Sequence, residues 1–512
     1  MMQPHDYTFI YVLALIFSFA DAYGIGANDV ANSFATSVSS GTLTLGQATC
    51  IAIVTEFCGA FFLGSGTADT IRSGIVSTKL YETQPELLML GMTTSVFASA
   101  VWVIFATSRG WPVSTTHSIT GAVIGMGVAS FGGKSVKWGY DGVAKIVTSW
   151  FISPFAAALV SSILYLSTKY IVFESKDSFK RGLLAIPFYI FITVLVCLSF
   201  IISKGLPGTK AVKLSFGEIV GISAAAGLGI ALISYFTYVQ YLKRKILYRE
   251  DLKWYHAFVS PLISKREIIP EPSEEDLESS LGSEKNKPSE IEQAQPKDLT
   301  VFQKIKKVVF RGINQDVRNV GNPRLASIHA RAKKYDNQTE FLFEFVQVLT
   351  ACAASFAHGS NDVANAVGPL AAVSQIWSTA KVPGSKSPVA AWNLAYCAVG
   401  IDLGLATYGY HIMRTLGNNI TYTTPSRGFA AELGTALTII TASKIGLPVS
   451  TTHCITGAMV GVGLCNGDMK AINWRMFAMC FLSWILTLPA AGLLSGLFFA
   501  LIINSPSKVP IQ

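Results

Sequence analysis

Charged residues are scarce in this chain of 512 residues, where Asp, Glu, Lys and Arg together make up only 14%. An ordinary soluble domain has about 25%. Hydrophobic residues make up 51% of the chain, and they are gathered into long runs. This composition excludes an ordinary soluble protein and indicates an integral membrane protein.

Several chemical motifs are also missing from the sequence. No segment matches the full Gly-x-x-x-x-Gly-Lys-Ser/Thr pattern, so the chain carries no P-loop ATP motor. The eight cysteines form no Cys-x-x-Cys pair, and no His/Cys/Glu set has zinc-ligand spacing. This pattern indicates neither a disulfide framework nor a zinc site. We therefore expect no cofactor and no enzymatic activity.

Long apolar stretches are present instead, in both halves of the chain. They run for 17 to 28 residues, and about 20 residues of helix cross a hydrocarbon core of roughly 30 Å. The twelve windows are 7–23, 46–65, 87–108, 112–131, 143–168, 183–203, 217–242, 340–357, 391–413, 428–445, 448–465 and 475–502. The predicted fold class is all-α, a polytopic membrane protein with about 12 transmembrane helices.

The charge that the chain has is concentrated between the two sets of windows. Residues 243–339 hold nearly half of the Lys and Arg residues and a Pro/Glu/Ser-rich run from Pro270 to Pro296. This is typical of a partly disordered linker, not of a nucleic-acid patch. Basic residues flank the adjacent spans, so we place the linker in the cytoplasm and both termini outside. Residues 301–334 could form an amphipathic surface helix. The predicted units are a first membrane half, the linker and a second membrane half, at residues 1–242, 243–339 and 340–512.

The two halves share two motifs. GANDVANS at residues 26–33 returns as GSNDVANA at residues 359–366, and PVSTTH at residues 112–117 returns at residues 448–453. Chance does not produce two such matches in the same order, so the halves descend from a duplicated unit. Seven windows separate the start of the first copy from the start of the second. This odd number predicts inverted repeats around a midplane site, as in many secondary transporters. The short windows 112–131 and 448–465 are compatible both with spans and with re-entrant hairpins.

The first motif places polar residues at membrane depth. Asp29 and Asn32 are three residues apart, as are Asp362 and Asn365, so each pair shares a helical face. Carboxylate and amide oxygens suit a hard monovalent cation such as Na⁺. The alternative is structural, with a buried aspartate capping a broken helix. Because intramembrane ionisable residues are usually functional, and because this one is duplicated, we favour a cation site.

The second motif suits an anion. Pro is favoured in the first turn of a helix, so the Ser-Thr-Thr that follows it is predicted to lie at a helix start, with hydroxyls and free N–H groups at the positive end of the helix dipole. The alternative is that these residues only cap the helix. The candidate ligands of a tetrahedral oxyanion are Ser114, Thr115, Thr116, Ser450, Thr451 and Thr452, together with Asn28 and Asn361 beside the aspartates.

Four further polar residues lie within apolar windows. Glu56 and Glu432 are candidates for cation ligands or proton carriers, with a structural hydrogen-bonding role as the alternative. His117 and His453 directly follow the Ser-Thr-Thr segments. They either titrate near neutral pH or orient the neighbouring hydroxyls, and we favour the second role.

The paired motifs resemble those of the inorganic phosphate transporter (PiT) family, particularly its eukaryotic, fungal-type members. The resemblance covers both membrane halves and leaves out the linker. It implies sodium-coupled phosphate uptake through an inverted-repeat fold. It also implies that Asp29 and Asp362 match the family's essential aspartates, that Glu56 and Glu432 match its essential glutamates, and that both Ser-Thr-Thr segments bind phosphate. Some relatives couple to protons, and the residues leave the coupling ion open.

The expected function is symport of phosphate and Na⁺ by alternating access in the plasma membrane. A dianion in a low-dielectric cavity is unfavourable without compensating cations, which gives a physical reason for coupling. A channel and a membrane-embedded hydrolase are the rivals from other classes, and sulfate or arsenate is an alternative substrate. Partners are phosphate, Na⁺ and the lipid bilayer, with a homodimer left open.

Overall fold

The computed structural model describes residues 2–204, 214–270, 323–384, 389–444, 447 and 449–505. The chain is helical throughout these ranges, with isolated β-bridges in place of a sheet. In the first half the α-helices are α1 Thr8–Asp29, α2 Ala31–Ser39, α3 Leu45–Leu63, α4 Ser65–Ser73, α5 Pro85–Ser108, α6 Thr115–Phe131, α7 Val143–Thr168, α8 Ser178–Lys204, α9 Phe216–Phe236 and α10 Tyr238–Leu242. After the linker they are α11 Pro323–Ala330, α12 Asn337–Phe341, α13 Glu344–Thr379, α14 Ala391–Tyr408, α15 Tyr410–Leu416, α16 Pro425–Lys444, α17 Thr451–Leu464 and α18 Trp474–Asn504.

Seven helical stretches in this described part of the chain are long and apolar enough to cross a membrane by length and composition. Their outer faces carry large apolar side chains such as Phe155 and Leu497, which are 75% and 69% exposed. Apolar side chains exposed along long helices suit contact with lipid rather than water. The predicted polytopic all-α membrane fold is confirmed.

Each half contains the same series of helices. A long helix (α1–α2, or α13) is followed by a broken one (α3–α4, or α14–α15), and then by two helices joined by a tight loop (α5 and α6, or α16 and α17). A last long helix (α7, or α18) completes the unit. The units also exchange contacts, because α6 packs against α18 while α17 packs against α7. Helices α8 to α10 follow the first unit and precede the linker.

The two long helices that carry the first motif are antiparallel. Ser40 donates a hydrogen bond to Gln347 (2.9 Å), which joins the end of one helix to the beginning of the other. At the opposite end, the backbone N–H of His5 donates to the carbonyl of Trp377 (2.7 Å). The helices cross where Asp29 and Asp362 lie, near the middle of each. The inverted relationship of the repeats is therefore visible in the packing.

Helices α5 and α6 form a hairpin whose tip lies at this crossing. Asn28 donates to the hydroxyl of Thr107 (2.8 Å) and to the carbonyl of Trp111 (3.1 Å), which fixes the tip beside the middle of the long helix. The two arms then return side by side, since Tyr81 lies 2.6 Å from Ser130. The second hairpin, α16 and α17, is fixed in the same way by Asn361, which donates to the carbonyl of Val449 (3.2 Å).

The hairpins decide between the two interpretations of the short windows. Helices α6 and α17 have 17 and 14 residues, and at 1.5 Å per residue the shorter is about 21 Å long, less than the membrane core. The arms of each hairpin meet at a tip beside the crossing of the long helices and run back together. Although α5 is itself long and apolar enough to cross, we therefore interpret the twelve apolar windows as eight crossing segments and two re-entrant hairpins among the described residues. Five crossings now separate the two copies of the first motif. Five is also odd, so the inversion predicted by counting still holds.

A further difference concerns the first motif. The structural alternative there was an aspartate capping a broken helix, but α13 runs through GSNDVANA without interruption. In the first copy the helix changes from α1 to α2 at Val30, whose φ of −66° and ψ of −24° are still helical. The following helices are interrupted in the same way, at Gly64 and Gly409, whose backbone angles are also helical.

The central run of the linker, residues 271–322, lies outside the described residues, as does most of the predicted amphipathic helix. The last part of the linker contains α11, and the residues that follow α11 contact the membrane helices. The guanidinium of Arg427, which is buried, donates to the carbonyl of Lys333 (2.6 Å). The Lys333 ammonium lies 2.8 Å from Glu174 and lowers the pKa of that exposed carboxyl.

Candidate functional site

Both Ser-Thr-Thr segments begin a helix, as predicted. Ser114 is the N-cap of α6 and accepts a hydrogen bond from the backbone N–H of His117 (3.2 Å). Ser450 caps α17 through the N–H of His453 (3.3 Å). Pro112 lies two residues before its cap rather than in the first turn, contrary to our expectation; Pro448 is outside the described residues. The two serine hydroxyls therefore cap the helices, while the threonines that follow are engaged elsewhere.

The threonine hydroxyls meet the two aspartates. Asp29 accepts from Thr115 of its own repeat (2.6 Å) and from Thr452 of the other repeat (3.0 Å). Asp362 accepts from Thr451 of its own repeat (2.9 Å). All five side chains are buried. The structure thus brings both motifs of both repeats to one place, at the ends of two opposed helices.

The asparagines of the first motif cross between the repeats. The amide of Asn32 donates to Thr451 (3.3 Å) and Thr452 (2.9 Å). In the mirrored arrangement, Asn365 donates to Thr115 (3.2 Å); it also donates to Thr116, at 3.3 Å. Each asparagine therefore connects the long helix of one repeat to the helix start of the other, which requires the two repeats to be docked as they are.

Asn28 and Asn361 are placed differently from our expectation. Besides its contacts to the hairpin tip, Asn28 accepts from the backbone N–H of Val113 (3.1 Å). The side-chain amide of Asn361 donates to Asp362 (2.7 Å) and to the carbonyl of Val449. Both side chains hold the loop that leads into a Ser-Thr-Thr helix start. Their contacts are those of positioning residues.

Glu432 lies outside this cluster. Its carboxylate accepts from Thr36 (2.5 Å), Ser37 (2.8 Å) and Thr350 (2.7 Å), and the amide of Gln347 lies 3.4 Å away. These partners come from both long helices, about one turn beyond Asn32. Glu432 therefore joins the two repeats beside the site and makes no direct contact with either aspartate.

Glu56 reaches the cluster through a histidine that sequence reasoning missed. Its carboxylate lies 2.7 Å from Nδ1 of His358, and Nε2 of the same ring lies 2.9 Å from Asp362. Ser355 donates to the other oxygen of Glu56 (2.8 Å). Ligand atoms of Asp29, His358 and Asp362 all lie within 4.8 Å of one another. The signal for His358 was its spacing, four residues before Asp362 on the same helical face.

The Glu56–His358–Asp362 chain is not repeated in the other half. Ile25 precedes Gly26 as His358 precedes Gly359. The carbonyl of Ile401 faces Gly26 just as that of Glu56 faces Gly359. Two isoleucines thus stand where the histidine and the glutamate would be. The two aspartates are related by symmetry, yet only Asp362 has a titratable side chain bridging it to a further carboxylate.

His117 and His453 do not orient the hydroxyls. Each ring packs against a tryptophan, with centroids 3.6 Å apart for His117 and Trp150, and 3.8 Å apart for His453 and Trp484. Their Nδ1 atoms lie near backbone carbonyls, 3.4 Å from that of Trp484 and 3.1 Å from that of Trp150. The rings also border an apolar cavity of about 630 Å³ between α7 and α18. Their side chains therefore pack behind the helix starts.

Inverted repeats, paired re-entrant hairpins and buried polar side chains at the crossing of two long helices define a membrane transporter of the secondary type. Comparison with known proteins shows its family. Residues 25–495 match the model of the phosphate transporter family, and the chain belongs to that family. The members it resembles are permeases and transporters, not enzymes.

Individual relatives match over almost their whole length. The chain is 37% identical to the phosphate-repressible phosphate permease pho-4 of Neurospora crassa, with 99% of both chains covered. It is 28% identical to the sodium-dependent phosphate transporter 1 of Mus musculus, covering 97% of this chain and 95% of the relative. A solved structure described as the sodium-dependent phosphate transporter superposes with a TM-score of 0.70 at 30% identity, covering 97% of this chain and 99% of the other.

Proposed function

We propose that this protein is a sodium-coupled phosphate symporter that takes phosphate into the cell by alternating access. The observation that carries the proposal is the meeting of two helix N-termini, α6 and α17, with two aspartates from opposite repeats. The helix starts suit an oxyanion and the carboxylates suit cations. The names of the mouse relative and of the solved structure support the coupling to sodium.

Phosphate is recognised by the threonines rather than by the capping serines. The hydroxyls of Thr115, Thr451 and Thr452 now donate to the aspartates. A phosphate oxygen is an equally good acceptor, and the helix dipole favours an anion there. When phosphate accepts these hydrogen bonds, the aspartate oxygens are released to coordinate cations. One exchange of partners thus links the two ligands.

Sodium ions bind at the aspartates and the neighbouring asparagine oxygens. Oδ1 of Asn32 is buried and has no hydrogen-bond partner among the described residues, so it is available beside Asp29. Asn365 supplies the corresponding group beside Asp362. Glu56 acts on the second of these positions through His358, and Glu432 holds the long helices together. Cations at these positions offset the charge of phosphate, which would otherwise be unfavourable in a buried site.

Phosphate uptake into proteoliposomes tests the proposal, with Na⁺, K⁺ and proton gradients imposed in turn. We expect accumulation of radiolabelled phosphate against its gradient only with inward Na⁺. Accumulation excludes a channel, and competition by sulfate or arsenate tests the substrate. Transport driven only by protons would reject the sodium assignment.

The variants Asp29→Asn and Asp362→Asn test the site. Each removes the charge that holds a cation while preserving side-chain size, so Na⁺-driven uptake should fall at least about 100-fold, as for a lost charged ligand. Asp6→Asn, at an exposed position before α1, is the control and should keep full uptake. Full uptake in both site variants, with normal membrane insertion, would refute the assigned roles.

A further inference from the structure

One buried carboxylate has no part in the proposed site. Asp21 lies in α1, about two helical turns before Asp29, and its side chain is fully buried. Neither carboxylate oxygen has a hydrogen-bond partner among the described residues. A buried polar group without a partner requires an explanation, and an ionisable one in a membrane-spanning helix is a candidate for function.

The surroundings of Asp21 form a small polar cluster at a junction of three helices. Ser18 lies three residues earlier on the same face of α1, and Ser99 approaches from α5. Both serines are fully buried, and their hydroxyls have no hydrogen-bond partner within the described ranges. Cys397 of α14 is close enough to interact electrostatically with Asp21. Three unsatisfied polar side chains thus share one water-excluded place.

The chemistry of this cluster distinguishes between a metal cation and a proton. An ionised carboxylate without hydrogen bonds is very unfavourable in such a place, so it must be neutralised. Hard metal cations take about six or more oxygen ligands. The cluster offers one carboxylate, two hydroxyls and a thiol, and the carbonyls of α1 are engaged in its helix. A proton needs only the carboxylate.

We propose that Asp21 is a proton-binding site of the transporter, protonated in this conformation, that couples pH to cation binding at Asp29. The charged or titratable groups that face it are Asp29 on its own helix and Cys397 on α14; α5 contributes Ser99. From α13, His358 faces Asp29 and Asp362 instead. The proposal adds a proton to the proposed sodium coupling.

Loss of the proton places a second negative charge about 12 Å along the helix from Asp29. At an effective dielectric constant of about 20, a charge at that distance changes the affinity for a cation up to about tenfold. Rising pH should therefore tighten Na⁺ binding at Asp29. In Asp21→Asn the side chain stays neutral, so this part of the pH dependence should disappear.

Infrared difference spectroscopy of the purified protein tests the protonation. Subtracting the spectrum of Asp21→Asn from that of the unmodified protein at neutral pH should show the band of a protonated carboxylic acid, which fades as pH is raised. Asp6→Asn is the matched control, because that carboxylate is exposed and accepts from the N–H of Gln3; its difference spectrum should show an ionised carboxylate. An ionised carboxylate at Asp21 would overturn the proposal.

The coupling is measured by the thermal stabilisation that NaCl produces, compared with KCl, from mildly acidic to mildly alkaline pH. The apparent Na⁺ affinity of the unmodified protein should rise up to about tenfold, and that of Asp21→Asn should rise less. Asp21→Ser provides a second variant if the first elutes as an aggregate. Equal pH dependence in the unmodified protein and the variants would reject the coupling. Neither readout requires phosphate transport, so failure of the proposed function remains distinguishable.

Discussion

Neighbouring residues of the Ser-Thr-Thr segment have different roles in this protein. In the segment that starts α6, Ser114 caps the helix while Thr115, the next residue, donates to Asp29. The same division holds for Ser450 and Thr451 in α17. The capping interpretation thus holds for the serines, while the threonine hydroxyls at the next position donate to the aspartates.

This division predicts that Ser114→Ala lowers stability, whereas Thr115→Val lowers phosphate uptake. Ser114→Ala removes an N-cap, so the free energy of unfolding should fall by about 1 kcal/mol while phosphate affinity changes less than about threefold. Thr115→Val keeps the shape but removes the hydroxyl that Asp29 accepts from, so phosphate uptake should fall about 10-fold or more. Thermal unfolding in detergent measures the change in stability, and uptake kinetics measure the change in phosphate transport. A larger transport defect in Ser114→Ala than in Thr115→Val would contradict this assignment.

His358 connects Glu56 to Asp362, which predicts a role in cation binding. His358→Gln shortens the bridge and removes its titratable ring, so Na⁺ affinity should fall about 10- to 100-fold, as for partners that orient ligands. Ser355→Ala, which removes the other hydrogen bond to Glu56, is the comparison and should cause a smaller loss. The Na⁺ concentration for half-maximal uptake is the measurement. An unchanged value in His358→Gln would show that the bridge is only structural.

At the scale of helices, close crossings depend on glycine. A Cβ added at Gly26 would lie 1.8 Å from the carbonyl oxygen of Ile401, and one at Gly359 would lie 2.4 Å from that of Glu56. These positions are related by the repeat, so the same backbone approach joins α1 to α14 and α13 to α3. Small residues at such crossings are typical of membrane helices, where association depends on close packing.

Gly26→Ala should therefore destabilise the protein by about 1–3 kcal/mol through overpacking. Gly221→Ala in α9 is the matched control, because no atom lies within 4 Å of the added Cβ. That change should be neutral or stabilise the helix by up to about 1 kcal/mol. Thermal unfolding of both variants in the same detergent measures the difference. Equal midpoints would mean that the helices separate without cost.

At the scale of the whole molecule, the repeats depend on each other for the site. Asn32 bonds to Thr452 and Asn365 bonds to Thr115, so neither half completes its own cluster. The long helices are antiparallel, so in the proposed transport cycle motion of one repeat against the other would change access on the two sides of the membrane in opposite directions.

Five crossings before the linker and three after it predict that both termini lie outside and the linker lies inside. Single cysteines introduced at Gln3 and Lys285, in a background without the native cysteines, should react with a membrane-impermeant maleimide from opposite sides. In intact cells only the first should be labelled, and permeabilisation should expose the second. Labelling of both in intact cells would disprove the predicted sidedness. Labelling of the first cysteine in intact cells would also place the protein in the plasma membrane.

The sequence by itself determined that this is an integral membrane protein with duplicated units, and it determined the residues of the two motifs. Apolar runs and repeated motifs can be read directly from the order of residues in the chain. It also pointed to Asp29, Asp362 and the threonines as candidate site residues, since polar residues at membrane depth are rare and costly. The inverted arrangement followed from the odd number of crossings between the two copies of the first motif. This number is still odd when the twelve crossings are replaced by eight crossings and two hairpins.

Only the tertiary structure decided which residues of one repeat bond to residues of the other. Windows 112–131 and 448–465 have the composition of spans, and packing against α18 and α7 makes them re-entrant arms. The long helix continues through GSNDVANA because its polar groups find partners in the other repeat instead of breaking the helix. Contacts between residues hundreds of positions apart placed His358 against Glu56 and kept Glu432 away from the aspartates. The duplicated motif predicts two ligand sets, but their assembly into one site is a property of the fold.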